Sequence, residues 1–154
     1  MEAKYVFDSN IFIGLQRRQP MDIYPSVWEK ISDLMKNGIV ISSREVFDEL
    51  SASGDELTKW AKARQDSFLP TTTDIQLRAR KILAEHRELV EGGKKKNNAD
   101  PFVIALAQER GCAVVTDEAM SNSLSAPKIP NICVIYNIRQ IDLVAFLREM
   151  QISF

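Results

Sequence analysis

Short apolar runs alternate along this chain with longer stretches in which apolar residues recur every three or four positions. Lys4–Phe7 is apolar after its lysine and runs into Asp8-Ser9-Asn10, residue types that cap helices, so Ile11–Leu15 starts a short helix. After Pro25, Val27, Ile31, Leu34 and Met35 predict a helix over Ser26–Lys36 that Asn37-Gly38 ends. Ile39–Ile41 reads as a second strand, with Ser42-Ser43 capping a helix over Glu45–Ser51. Leu57, Trp60 and Ala61 mark a helix over Glu56–Arg64, and Phe68–Pro70 a short extended piece. Thr73-Asp74 caps a long helix to about Val90, with Ile75, Ala79, Ile82, Leu83, His86 and Val90 on one face and Gly92-Gly93 beyond its end. Lys94–Asn98 is a polar loop, and Ala99–Arg110 is apolar enough for a helix buried on most sides. Cys112–Thr116 predicts a third strand, Ile132–Ile135 a fourth, and Asp142–Met150 a last helix.

β-branched strands alternating with helices predict an α/β fold, a parallel sheet covered by helices on both faces. The 154 residues suit one domain with one core, in which the helix-rich residues 53–93 are an insertion between strands. There is no internal repeat and no low-complexity segment. With 45% hydrophobic and 27% charged residues the chain reads as globular rather than disordered. A net charge of −1 does not mark a nucleic-acid coat protein, but a metal nuclease also carries acidic ligands that offset its basic residues. No signal sequence opens the chain, and no apolar run nears the roughly 20 residues that span a bilayer, so a cytoplasmic protein without membrane contact is expected. Cys112 and Cys133 lie in apolar runs and read as buried thiols of a reducing compartment.

Ligands of parallel sheets bind at the carboxyl ends of the strands. Asp8 directly follows the first strand, and Asp117 and Glu118 follow the third. Asp100 opens the buried helix, where the helix dipole favours an ionised carboxylate. In the helix ending at Ser51, Val46 and Leu50 define the buried stripe; Glu49 falls about 80° from its centre and Asp48 faces solvent. Each acid also has a plain reading, as a cap or a solvated edge.

Converging carboxylates repel one another unless a cation neutralises them, and hard oxygen donors select magnesium or manganese over zinc. Such ions cleave phosphodiesters without a side-chain base. His86 is the single histidine and sits on an apolar stripe, so a histidine-pair ribonuclease mechanism is excluded by count. G-x-x-x-x-G-K-[ST], G-x-G-x-x-G and G-x-S-x-G are all absent, which leaves P-loop, dinucleotide and serine-hydrolase chemistry without support.

Four segments, in order, resemble the motifs of PIN domains: Tyr5-Val-Phe-Asp8-Ser9-Asn10, Val46-Phe-Asp-Glu49-Leu50, Asn98-Ala-Asp100 opening an apolar helix, and Val114-Val115-Thr116-Asp117-Glu118. The resemblance covers about residues 4–136. It implies a three-layer α/β/α fold with a mainly parallel sheet of four to five strands, a Mg2+ (or Mn2+) site, and cleavage of single-stranded RNA. It implies Asp8, Glu49, Asp100 and Glu118 as catalytic and metal-holding acids. Many small bacterial members, the VapC-like ones, are toxins of toxin–antitoxin pairs and form homodimers, so a cognate antitoxin is an expected partner. Two departures stand out. The last motif usually has Asp where Glu118 stands, with Asp117 one residue earlier, which leaves open which of the two acids reaches the metal. The middle is also longer and more helical than in compact toxins.

Ser9, Asn10 and Thr116 are candidates to orient carboxylates or water from a second layer. Lys94, Lys95 and Lys96, just before Asp100, and Arg17, at the end of the first helix with Arg18, are candidates to hold RNA phosphates. Two rivals remain: a PIN-like module that binds without cutting, and a magnesium-binding receiver-like domain. The second lacks paired acids after the first strand and a lysine after the last.

Overall fold

Five short strands build the centre of the molecule, two of them apolar triplets with β-branched members. In the computed structural model they form β1 (Tyr5–Phe7), β2 (Val40–Ser43), β3 (Phe68–Leu69), β4 (Ala113–Val115) and β5 (Gln140–Ile141), one all-parallel sheet in the order β3-β2-β1-β4-β5. The structure describes residues 2–52, 54–87, 99–122 and 127–153. Every residue of β1 and β4 is buried, as expected of strands covered on both faces. Val6 is the hub of the register, opposite Ile41 on one side and Val114 on the other.

Eight α-helices lie among the described residues: α1 (Ser9–Arg18), α2 (Pro25–Lys36), α3 (Arg44–Ser51), α4 (Glu56–Lys62), α5 (Thr73–Glu85), α6 (Asp100–Arg110), α7 (Ile129–Ile135) and α8 (Leu143–Glu149). Right-handed crossovers place α1–α4 over one face and α5–α7 over the other. The aromatic contacts agree. Phe12 of α1 lies 5.4 Å from Phe7 and 5.8 Å from Trp60 of α4, whose ring meets Trp28 of α2 at 5.0 Å. Phe146 of α8 closes over Tyr5 and Phe7, at 4.9 Å from each. The expected α/β architecture, a parallel sheet between layers of helices, is therefore the one observed.

The chain leaves β1 toward β2 but enters β4 on the opposite side, so the strand order reverses between β1 and β4. In a doubly wound sheet that reversal opens a crevice beyond the strand ends. Asp8 and Thr116 are the residues that follow those two strands.

Three expectations are corrected. Ile132–Ile135 is helical, part of α7, and the last strand is β5. Pro130 in the first helical turn, where a missing N–H costs nothing, is the signal that competes with the β-branched run. Second, the run is buried on one side only: Ile132 and Cys133 are buried, while Val134 and Ile135 are 62% and 60% exposed. Cys133 is accordingly buried in a helix, while Cys112 sits buried at the start of β4, and both are free thiols. The third correction is the long helix, which ends at Glu85, with His86 as its C-cap donating its N–H to Ile82 O at 2.8 Å. Val90, Gly92-Gly93 and Lys94–Asn98 lie outside the described residues. Of the short extended piece expected over Phe68–Pro70, Phe68–Leu69 is present as an edge strand, so the helix-rich middle contributes to the sheet. Among the described residues no helix is long and apolar enough to cross a membrane.

Candidate active site

Four elements deliver carboxylates to the crevice. Asp8 ends β1 and caps α1; its Oδ1 accepts the Ser9 N–H at 2.8 Å and its Oδ2 accepts the Thr116 hydroxyl at 2.9 Å. Asp100 is the first residue of α6, ahead of Pro101. Glu49 projects from α3 at the edge of the buried stripe, where its sequence angle put it, while Asp48 is exposed and paired with Arg44. Glu118 follows β4 by three residues and accepts the Ile129 N–H through Oε2 at 3.4 Å. All four line one open cleft of ≈ 720 Å³, together with Ser9, Asn10, Gly14, Arg17, Arg18 and Asp117.

Burial and like charge dominate the electrostatics. Asp8 and Asp100 are only 2% and 5% exposed. Burial, then the negative charge of Glu118, pushes the Asp8 carboxyl up to about 7, against the pull of the Thr116 and Ser9 hydrogen bonds. Asp100 is pushed up to about 9, first by burial and then by Asp8, Glu118 and Glu49, with Lys128 opposing. Glu118 is also raised by burial, opposed by the Ile129 N–H and Lys128. The helix start at Asp100 therefore does not hold that carboxylate in the ordinary acidic range, because desolvation and three neighbouring acids outweigh a dipole worth roughly 0.3–1 kcal/mol.

Thr116 is the hub of the second layer. Its hydroxyl donates to Asp8 and accepts from Asn10 Nδ2 at 3.1 Å and from the Glu118 N–H at 3.2 Å. Asn10 Oδ1 in turn accepts the Asp117 N–H at 3.2 Å. Asp117 faces the cleft but is engaged on both oxygens, with the Leu143 N–H on Oδ1 at 3.0 Å and Arg18 Nη2 on Oδ2 at 3.3 Å. Beyond Glu118, Asn131 ties Ser121 to Lys128, accepting the N–H groups of both and donating to Ser121 O. Arg17 lines the cleft; Lys94, Lys95 and Lys96 lie outside the described residues. Lys128 is the charge that sequence reading missed, since nothing in its neighbourhood marks it.

The donors suit a hard divalent cation in kind, being all oxygen. Glu49 Oε1, buried with no hydrogen-bond partner among the described residues, fits such a role. As the side chains are placed, no three His, Cys, Asp or Glu residues among the described ones are grouped to hold an ion. The four acids thus form a shared acidic cleft rather than an assembled coordination sphere.

A family model described as Domain of unknown function (DUF4411) matches residues 5–154. No curated protein matches the chain. Among solved structures it is similar to a chain of DNA-bound VapBC from Salmonella typhimurium, at 20% identity and TM-score 0.56, covering 91% of this chain and 98% of that one. It is similar to a chain of VapBC2 from Rickettsia felis bound to a promoter DNA fragment, at 17% identity and TM-score 0.54 (90% and 97% covered). A chain of VapBC-1 from nontypeable Haemophilus influenzae is similar at 19% identity and TM-score 0.53 (90% and 96% covered). At these identities the likeness is one of fold.

Proposed function

The chain belongs to the family DUF4411, and from that premise we propose that it is a magnesium-dependent endoribonuclease acting on single-stranded RNA, the toxin of a toxin–antitoxin pair. The observation that carries this reading is the convergence of Asp8, Glu49, Asp100 and Glu118, from four separate elements, on the switch-point cleft of a parallel sheet. Their charges destabilise one another in the protein alone, which is the condition a divalent cation relieves. Asp8, Asp100, Glu49 and Glu118 are the residues that would hold magnesium or manganese. When bound, the ion neutralises phosphate charge and acidifies the attacking water.

The chain's own residues do the rest. Thr116 holds the Asp8 carboxylate in one orientation, and Asn10 holds Thr116. The Ile129 N–H holds one oxygen of Glu118. Arg17 and the Lys94–Lys96 run are assigned to backbone phosphates, whose contacts position the strand without reading its sequence. The fold shared with VapBC structures supports an antitoxin partner; a homodimer is what the resemblance to VapC-like proteins implies. A second reading, a module that binds without cutting, is favoured by the absence of a ready ion-binding group among the described residues.

One experiment separates the two readings. Defined single-stranded RNAs are incubated with the protein in magnesium, in manganese and in a chelator, with Asp100→Asn alongside. Metal-dependent cleavage lost in the variant is expected. Intact RNA throughout, together with no heat of magnesium binding by calorimetry, leaves the binding module.

A further inference from the structure

Arg18, the last residue of α1, carries a side chain 58% exposed at the mouth of the cleft. Its guanidinium folds back over Gly14, where a Cβ would stand 2.9 Å from Nη2. Gly14 sits in the interior of α1 in ordinary helical geometry, so its backbone does not call for glycine, and glycine there weakens the helix. What the missing side chain provides is room for Arg18. Nη2 donates to Asp117 Oδ2 at 3.3 Å, and Asp117 is itself fixed by the Leu143 N–H and by Asn10. From Asn10 the hydrogen bonds continue through Thr116 to Asp8. An exposed ion pair contributes little to stability. Taken together, the glycine, the anchored carboxylate and the unbroken link to Asp8 fix a cation at a set place beside the acids.

We propose that Arg18, given room by Gly14 and aimed by Asp117, binds a phosphate of the single-stranded RNA at the mouth of the cleft. This rests on the nuclease reading of the same site. The guanidinium turns one edge to Asp117 and keeps its remaining N–H groups for a phosphate, which it grips in a planar fork. Asp117 is then a positioning residue acting through Arg18, and Glu118 is the acid of its motif left for the metal.

The probe is a fluorescein-labelled single-stranded oligoribonucleotide, with calcium in place of magnesium so that binding is read without cleavage. Arg18→Gln should weaken binding and flatten the dependence of log affinity on log salt by about 0.7, the loss of one phosphate contact, while the bond cut in magnesium stays the same. Gly14→Ala should raise the melting temperature, because alanine favours the helix, and still weaken binding, because its Cβ displaces the guanidinium. Asp117→Asn is the sharpest arm. Charge alone predicts tighter RNA binding when a carboxylate is removed, whereas loss of the anchor predicts weaker binding. Wild-type affinity in Arg18→Gln or Gly14→Ala, or tighter binding in Asp117→Asn, overturns the proposal. If those variants also cut RNA as the wild type does, the nuclease reading survives without it. A wild type that neither binds nor cuts RNA overturns both.

Discussion

Two clefts open at opposite ends of the same sheet, and the larger is not the one that gathers the acids. The cleft below the strand beginnings, of ≈ 960 Å³, is lined by Lys36, Arg64, Asp66, Glu109 and Arg110, a mixture of both signs. Three of these charges have partners. Arg64 donates to Ser32 Oγ at 2.7 Å and to Trp60 O at 2.9 Å and lies 4.4 Å from the Trp60 ring centre, while Arg110 pairs with Glu109 at 2.9 Å. The cleft beyond the strand ends holds ≈ 720 Å³ and gathers Asp8, Glu49, Asp100, Asp117 and Glu118 against Arg17 and Arg18 at its mouth, with Glu49 Oε1 unpartnered among the described residues. The first cleft mixes signs in equal measure, whereas the second concentrates one sign on buried carboxyls. Unresolved like charge, not volume, is what points to function.

The largest effect should come from removing that unresolved charge. Asp8→Asn and Asp100→Asn keep the size of the side chain but remove its charge. Each should lower cleavage by more than the ~10–100-fold that outer-layer partners of a metal site cost. Melting by circular dichroism should show the fold intact. Cleavage at the wild-type rate in either variant would break the contrast between the two ends.

Much of this contrast was legible in the sequence. Asp8, Asp100 and Glu118 announce themselves by following a strand or opening a helix, because a parallel sheet sends its strand ends to one edge. Glu49 needed only the angle between its position and the Val46–Leu50 stripe. What stayed hidden depends on partners distant in the chain. Asp117 and Glu118 are neighbours of the same chemistry, and only Arg18 and the Leu143 N–H, 99 and 26 residues away, tell them apart. The error at Ile132–Ile135 has a local cause: periodicity alone cannot tell a short apolar run in a strand from one in a helix, its β-branched residues favour the strand, and Pro130 is the signal that decides otherwise. β5, two residues long, is too short for any period to show.

Next in size is the second layer. Thr116→Val keeps the shape of the side chain but removes the hydroxyl that donates to Asp8 and accepts from Asn10. A fall of about 10-fold to 100-fold in cleavage is expected, with binding of the RNA little changed. A loss confined to affinity would show that Thr116 serves the substrate rather than the acids.

The acidic cleft should also set how stability responds to pH in the metal-free protein. Folded Asp8 and Asp100 titrate at about 7 and about 9, against an ordinary 3.8. Between the ordinary value and about 7, the folded chain keeps two protons that the unfolded chain has released. Stability therefore falls as pH rises, by up to about 1.4 kcal/mol per pH unit for each group. From about 7 to about 9 only Asp100 contributes. The melting temperature in chelator should thus be higher at pH 5 than at pH 8, and Asp100→Asn should flatten the curve. Saturating magnesium should flatten it too, since a cation takes the place of the protons. A melting temperature that climbs from pH 5 to pH 8 would contradict the burial of these carboxyls.

The smallest effect tests the opposite end. Arg64→Met retains an apolar stem over Trp60 but removes the hydrogen bonds to Ser32 and Trp60 O and the cation beside the ring. Partly buried hydrogen bonds near 1 kcal/mol each and a cation–π contact of about 0.5–1 kcal/mol predict a loss of roughly 1–2 kcal/mol once the groups left behind reach water. Chemical denaturation should show that loss as a lower midpoint with an unchanged slope. Cleavage by the folded fraction should not change, because Arg64 lies before the strands and the acids lie after them. If Arg64→Met lowered cleavage or RNA affinity beyond its fraction unfolded, the larger cleft would be functional as well. The partners of Arg64 would then be a resting arrangement that substrate rearranges, and the gathering of like charge would no longer distinguish the two ends of this sheet.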